Sequence, residues 1–128
     1  MNLTKTSLAR LQGVHPDLVR AVKRAAADWK DPDTGFIVTQ GLRTLAEQKL
    51  LKAKGASKTL NSRHLTGHAV DLAATVGGAV RWDWPLYDKL AKAMKAAAKA
   101  EKVPITWGGD WVNFKDGPHF ELPRNLYK

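Results

Sequence analysis

The chain has 128 residues, of which 44% are hydrophobic and none is cysteine, and its formal net charge is +9. This length suits one domain with a real core, and the lack of cysteine excludes disulfides and thiolate metal ligands. The charge attracts polyanions of any kind, but no RNP-like motif, zinc-finger spacing or recognition helix is present. We expect no dedicated nucleic-acid partner. An anionic bacterial envelope and a solvated surface without a partner both suit the charge.

No segment reads as a targeting or membrane signal. Residues 1–5 lead into a mixed polar and apolar stretch without an apolar h-region, and no apolar run is long enough to span a bilayer. We therefore expect a soluble chain with no signal peptide and no transmembrane segment.

The first half of the chain predicts a helix, a strand and a second helix. Pro16 suits a first helical turn, residues 31–35 have turn composition, and residues 36–39 form a short β-rich run. Thr44 and Glu47 form a capping box for the second helix, which a C-cap at Gly55 would end. The first helix has apolar residues at helical spacing, namely Leu18, Val19, Val22, Ala25, Ala26 and Trp29.

The second half predicts a hairpin, a long helix and two short strands. Residues 69–73 read as a buried strand, and Gly77-Gly78 turns it back through residues 79–82. Pro85 opens a helix that runs to about Glu101. Residues 104–107 and 119–122 are short strand candidates. The predicted core face of the long helix consists of Leu86, Leu90, Ala93, Met94 and Ala97.

Two segments carry residue types that chemistry would bring together, residues 62–71 (Ser-Arg-His-Leu-Thr-Gly-His-Ala-Val-Asp) and residues 116–119 (Asp-Gly-Pro-His). A catalytic zinc takes three protein ligands and leaves a position for water. His64, Asp71 and His119 would supply two imidazoles and one carboxylate. Asp116, outside this set, would act as general base on the water and later protonate a leaving amine.

The strand assignments predict that these ligands converge on one sheet face. Ala69 and Ala73 share the face of Asp71 and, being small, leave space above it. His119 begins the last strand, which could pair beside that of Asp71. The same donor set also suits other divalent ions.

Other residues near the motifs have two interpretations. His68 lies four residues after His64, the spacing of helical zinc ligands, but no Glu follows His64 and Gly67 weakens a helix there. We prefer His68 as a pocket-wall or exposed residue. Glu121 either orients the imidazole of His119 or is solvated. Four tryptophans either line a substrate groove or pack into the core, namely Trp82, Trp84, Trp107 and Trp111.

The pattern S-x-H-x-x-G-x-A-x-D, joined to D-x-x-H, resembles the zinc peptidases of the D-Ala-D-Ala carboxypeptidase and L-alanyl-D-glutamate endopeptidase family. Small bacteriophage endolysins are members of this family. Residues 38–44, Val-Thr-Gln-Gly-Leu-Arg-Thr, resemble the family segment that carries an active-site arginine. The resemblance covers about residues 16–122.

The resemblance implies a role for each matching residue. His64, Asp71 and His119 match the zinc ligands, and Asp116 matches the general base. Arg43 matches the arginine that steadies the substrate carbonyl and the oxyanion. Ser62 matches a position that hydrogen-bonds the site and is our candidate for a substrate contact.

The implied fold is a single α+β domain over residues 1–128, with a small, largely antiparallel sheet, helices on one side and the zinc site on the other. This is a hedgehog/DD-peptidase-like arrangement. Some relatives in this family carry a calcium-binding acidic insertion before the final element. The corresponding residues 110–115 are few and poor in acids, so the resemblance does not imply calcium regulation here.

The implied function is that of an endolysin which hydrolyses the L-Ala-D-Glu bond of the peptidoglycan stem peptide. The alternatives are a D-Ala-D-Ala carboxypeptidase and a non-catalytic, zinc-stabilised cell-wall binding module. The resemblance further implies a monomer held in the host cytoplasm before release, with a separate holin-type partner that gives it access to the wall.

Overall fold

The computed structural model describes residues 1–55 and 62–128. In these ranges the helices are α1 Lys5–Arg10, α2 Pro16–Ala27, α3 Leu45–Ala53 and α4 Trp84–Glu101. The strands are β1 Thr34–Gln40, β2 Ala69–Val76, β3 Ala79–Val80, β4 Thr106–Trp107 and β5 His119–Glu121. Two 3-10 turns span Arg63–Thr66 and Gly108–Asp110. No helix in the described ranges combines the length and apolar character needed to cross a bilayer.

The sheet is antiparallel throughout the described residues, with strand order β1-β2-β5-β4 and β3 paired to the end of β2. In the β2–β5 pair Asp71 lies directly opposite His119. The register of β1 shifts between Val38 and Gln40, so that Gln40 pairs with Asp71. A bulge of this kind bends a strand and re-aims its side chains, and here it lies beside a predicted ligand.

The two faces of β2 have different partners because successive side chains of a strand alternate. Val70, Leu72 and Ala74 belong to the hydrophobic core with α2 and α4. Asp71 points to the opposite face, together with Ala69 and Ala73. The α+β prediction, with packed helices on one side of an antiparallel sheet and the candidate ligands on the other, is therefore confirmed.

The predicted helices at Pro16, after Thr44 and at Pro85 are all present, and the capping box of Thr44 and Glu47 is formed. The core face of α4 differs slightly from the prediction, because Leu86 and Ala93 are only half-buried. Tyr87 is buried instead, and its hydroxyl donates to the Arg81 carbonyl while accepting the Ala74 N–H. These bonds fix the rotation of α4 on the sheet.

Helix α1 was not predicted, because residues 5–10 show no clear apolar periodicity. Its role is to cover the edge of β1. The buried Ser7 hydroxyl accepts the Val38 N–H at 3.0 Å, and the Arg10 guanidinium donates to the Val38 carbonyl at 3.0 Å. Edge strands carry unpaired backbone groups that need such partners.

Replacing a core residue of β2 should destabilise the whole fold. Leu72 is fully buried, so Leu72→Ala should lower the free energy of unfolding by about 2–5 kcal/mol through lost burial and a residual cavity. Urea denaturation followed by circular dichroism measures this. Leu126→Ala, at a side chain that is 62% exposed, is the control. An equal loss in both variants would contradict the assignment of the core.

Candidate metal centre

Three predicted ligands meet on the sheet face opposite the core. His64 comes from the 3-10 turn before β2, Asp71 from β2 and His119 from the first position of β5. One potential ligand atom from each lies within 4.8 Å of the others. Among the described residues these three form a group that could hold a metal ion.

The imidazole of His64 is held by the main chain. Its Nδ1 lies 2.8 Å from the Gly41 carbonyl, which can only accept, so Nδ1 carries the proton. Its Nε2 lies 3.2 Å from Asp71 Oδ1, on the side of the ring that faces the cluster. The ring is only 2% exposed. His64 therefore presents Nε2 to the cluster.

The loop around His64 is shaped by its ends. The Ser62 hydroxyl accepts the His64 N–H at 3.2 Å and caps the 3-10 turn. Gly67 ends the turn in the left-handed region, φ 74°, where a Cβ would lie 2.4 Å from the Gly13 carbonyl oxygen. A substrate contact of Ser62 stays a prediction, and its observed role is to position the ligand loop.

His119 lies between two carboxylates. Its Nδ1 is 3.1 Å from Asp71 Oδ1, and its Nε2 is 2.8 Å from Glu121 Oε1. Burial alone would lower the pKa of His119, but the hydrogen bonds with Asp71 and Glu121 outweigh it and raise the pKa to about 9. Burial alone would raise the pKa of Asp71, but the hydrogen bonds with the imidazoles of His119 and His64 hold it well below the usual range.

The residues fit a metal ion. Two imidazoles and a carboxylate are ordinary ligands for a divalent transition metal. Each imidazole also has a partner for its far nitrogen, Gly41 for His64 and Glu121 for His119, as is usual for metal-binding histidines. The Asp71 carboxylate lies between the two rings.

Asp116 lies on the backbone segment that leads into His119. Its N–H donates to the Gly108 carbonyl at 3.0 Å, and its carbonyl accepts the His119 N–H at 3.2 Å. Burial raises the pKa of the Asp116 carboxyl, and the negative charge of Asp71 raises it further. The positive charges of His119, His64 and Arg43 offset this only in part. Asp116 is thus an acid that holds its proton more tightly than an ordinary Asp.

Arg43 lies against the cluster and is nine-tenths buried. Its Nη2 is 3.9 Å from Asp71 Oδ2, its Nη1 donates to Gln48 Oε1, and its N–H donates to the His64 carbonyl. Within the described residues its Nε has no hydrogen-bond partner. The fully buried Gln48 of α3 therefore fixes the guanidinium. The signal in the sequence is a Gln at an inward position of a helix with a capping box, but spacing alone does not reveal that Gln48 contacts Arg43.

The remaining candidates lie outside the cluster. The Nδ1 of His68 is 2.7 Å from the Thr66 hydroxyl, and its ring lies near His15 and Tyr127. His68 is therefore not placed as a ligand. The ring centroid of Trp111 is 5.1 Å from that of His119, so this ring forms one wall of the cluster. Of the other three tryptophans, Trp107 is buried, whereas Trp82 and Trp84 are exposed.

A buried His–Asp–His cluster on an antiparallel sheet, with an acid and an arginine beside it, defines a site suited to metal-dependent hydrolysis. The sequence profile of the family described as phage L-alanyl-D-glutamate peptidase matches residues 1–123. The chain belongs to this family.

Individual relatives agree with this assignment. The L-alanyl-D-glutamate peptidase of Escherichia phage T5 is 31% identical over 96% of this chain and 90% of its own length. That of Listeria phage A118 is 35% identical over 83% of this chain, but the match spans only 37% of that relative. The crystal structure of the Serratia marcescens L-Ala D-Glu endopeptidase ChiX is 44% identical, with a TM-score of 0.89 over 99% of this chain and 93% of that one.

A methyl group at Gly108 should disturb the centre without unfolding the protein. A Cβ there would lie 2.3 Å from the Asp116 carbonyl oxygen and 3.0 Å from the Cβ of His119. Gly108→Ala should therefore displace both residues and weaken metal binding, measured by titration with a chromogenic chelator. The control is Gly35→Ala, whose nearest neighbour is the flexible Met1 side chain. Unchanged metal affinity in Gly108→Ala would contradict this placement of Gly108.

Proposed function

We propose that this chain is a zinc endopeptidase that hydrolyses the L-Ala-D-Glu bond of the peptidoglycan stem peptide. The observation that carries the proposal is the convergence of His64, Asp71 and His119 beside Asp116 and Arg43. The family to which the chain belongs, and the related structure at 44% identity, are named for cleavage of this bond.

His64, Asp71 and His119 would hold the zinc ion. When bound, zinc supplies Lewis acidity, which makes a water molecule easier to deprotonate and polarises a carbonyl group. The protein contributes a rigid, mostly buried set of donors, because the far nitrogen of each imidazole is already hydrogen-bonded. Little rearrangement is then needed when the ion binds.

Asp116 would transfer the protons of the reaction. It takes one proton from the attacking water and gives it to the departing amine nitrogen of D-Glu. Between these two transfers the carboxyl of Asp116 must hold the proton. Burial raises the pKa of Asp116, which favours this protonated form. Asp71, which is held ionised between two imidazoles, is not suited to it.

Arg43 would stabilise the negative charge that develops on the carbonyl oxygen. A fixed cation acts most strongly where water is excluded, and Arg43 is buried and held by Gln48. The positive charge is therefore oriented before substrate binds.

The net charge of +9 supports approach to an anionic cell wall. Membership of a phage peptidase family supports a role in lysis from within the host. The proposal includes action as a monomer and a separate membrane-permeabilising partner, which would let the protein reach the wall.

The function is tested by incubating the purified protein with peptidoglycan, with and without a chelator, and reading the products by mass spectrometry. New stems with N-terminal D-Glu, lost with chelator and restored by zinc, are expected. Release of free D-alanine would replace the proposal with the carboxypeptidase. Binding without any released fragment would replace it with the wall-binding module.

Asp116→Asn should remove catalysis and keep the metal. The amide cannot take the proton, so kcat should fall by about 10²–10⁴-fold, measured on a soluble muropeptide. Zinc content should stay that of the wild type, because Asp116 is not in the ligand set. Asp110→Asn, an exposed acid of the same loop paired with Lys95, is the matched control. Full activity of Asp116→Asn would exclude Asp116 as the base.

Arg43→Gln should lower kcat more than it raises KM. Loss of a fixed charge at the oxyanion costs about 10²–10³-fold in kcat. Arg20→Gln, at an exposed arginine that pairs with Asp17, controls for a general loss of positive charge. A change in KM alone would show that Arg43 binds substrate without stabilising the transition state.

A further inference from the structure

We propose that Glu121 is the positioning residue of the metal centre, which holds the imidazole of His119 in the orientation and tautomer that turn Nδ1 toward the ion. The inference rests on the proposed function only in that it requires a metal ion at the cluster. It does not depend on which bond is cleaved, or on whether any bond is cleaved.

The strand β5 places the two side chains together. Residues two apart in a strand point to the same face, so His119 and Glu121 face the cluster while Phe120 between them is fully buried in the core. The Nε2 of His119 lies 2.8 Å from Glu121 Oε1, and the side chain of Glu121 is only 14% exposed. A hydrogen bond to a carboxylate that is shielded in this way is weakened little by solvent.

Glu121 decides which nitrogen of His119 keeps its proton. The ring lies between two carboxylates, with Nδ1 3.1 Å from Asp71 Oδ1 and Nε2 bonded to Glu121. A metal ion that binds to Asp71 and His64 needs a lone pair on the nearest nitrogen, which is Nδ1. The remaining proton must then sit on Nε2, where the carboxylate of Glu121 accepts it and makes the ring a stronger ligand.

The other ligand histidine is held differently. His64 uses a main-chain acceptor, the Gly41 carbonyl at 2.8 Å from Nδ1, and presents Nε2. The two imidazoles therefore face the cluster through opposite nitrogens, and each has its own acceptor behind it. Only the acceptor of His119 is a side chain, so only this one can be removed by substitution.

Two other roles for Glu121 fit the structure less well. It is not part of the three-residue group whose donors lie within 4.8 Å of one another, so it is not placed as a ligand. Burial lowers the pKa of Arg63, and the negative charge of Glu121 opposes this effect. The Arg63 guanidinium, however, donates its hydrogen bonds to the main-chain carbonyls of Leu122 and Tyr127. The direct contact of Glu121 at the cluster is with His119.

The test compares the zinc affinity of Glu121→Gln and Glu121→Ala with that of the wild type, by competition with a chromogenic chelator. Loss of such an outer partner weakens metal binding by about 10–100-fold. We expect this for Glu121→Ala and a smaller loss for Glu121→Gln, because the amide oxygen still accepts a hydrogen bond. Glu101→Gln is the matched control, since Glu101 pairs with Arg20 and Arg24 between α2 and α4. Its affinity should not change.

A spectroscopic measurement separates positioning from a general structural effect. Long-range ¹H–¹⁵N spectra of the zinc-loaded protein report which ring nitrogen of each of the four histidines is protonated. In the wild type we expect His119 to carry its proton on Nε2, with slow exchange, and in Glu121→Ala that signal should broaden or vanish. His15 and His68, outside the cluster, serve as internal references.

Two results would overturn the inference. One is a zinc affinity of Glu121→Ala equal to that of the wild type, and the other is a wild-type spectrum in which His119 is protonated on Nδ1. Melting of the metal-free variants shows whether each folds, and the nearly isosteric Glu121→Gln carries the test if Glu121→Ala does not. If the wild-type protein binds zinc as expected but leaves peptidoglycan intact, the proposed function is wrong. The inference about Glu121 would still stand.

Discussion

The site depends on one register, the antiparallel pairing that sets Asp71 of β2 opposite His119 of β5. The neighbouring pair, Val70 with Phe120, points to the other face and is fully buried. A slip of one residue would turn the apolar pair to the outside and the ligands into the core, and both would cost free energy. The hydrophobic core thus selects the register, and the register brings the ligands together.

Around this pair, charge and hydrogen bonding are arranged before any ligand binds. The carboxylate of Asp71 is flanked by two imidazoles and a guanidinium, which stabilise its ionised form despite burial. Each of these three side chains has a second anchor, since Gly41 holds His64, Glu121 holds His119 and Gln48 holds Arg43. Such outer contacts lock the rotamers of the inner residues and make a site rigid.

Short irregular segments contribute as much as the regular elements. A Cβ on Gly41 would lie 1.9 Å from the carbonyl oxygen of Arg10, so α1 packs directly on the residue that holds His64. Gly108 similarly allows a close approach to Asp116 and His119. Helix α1 shows little apolar periodicity in its sequence. Its contacts are with the edge of β1 and with Gly41, which lie about thirty residues further along the chain. Local sequence cannot reveal contacts of this kind.

The sequence by itself determined the helices with local signals, such as the capping box of Thr44 and Glu47, the class of fold and the family. It also singled out the ligand candidates, because two motifs with the right residue types and spacing are uncommon together. Only the tertiary structure decided that Glu121 meets His119, that His68 turns toward His15 and away from the cluster, and that Gln48 holds Arg43. Residues close in sequence, such as His119 and Glu121, had more than one possible partner. The choice among these partners was made by strand pairing and helix packing with segments distant in the chain.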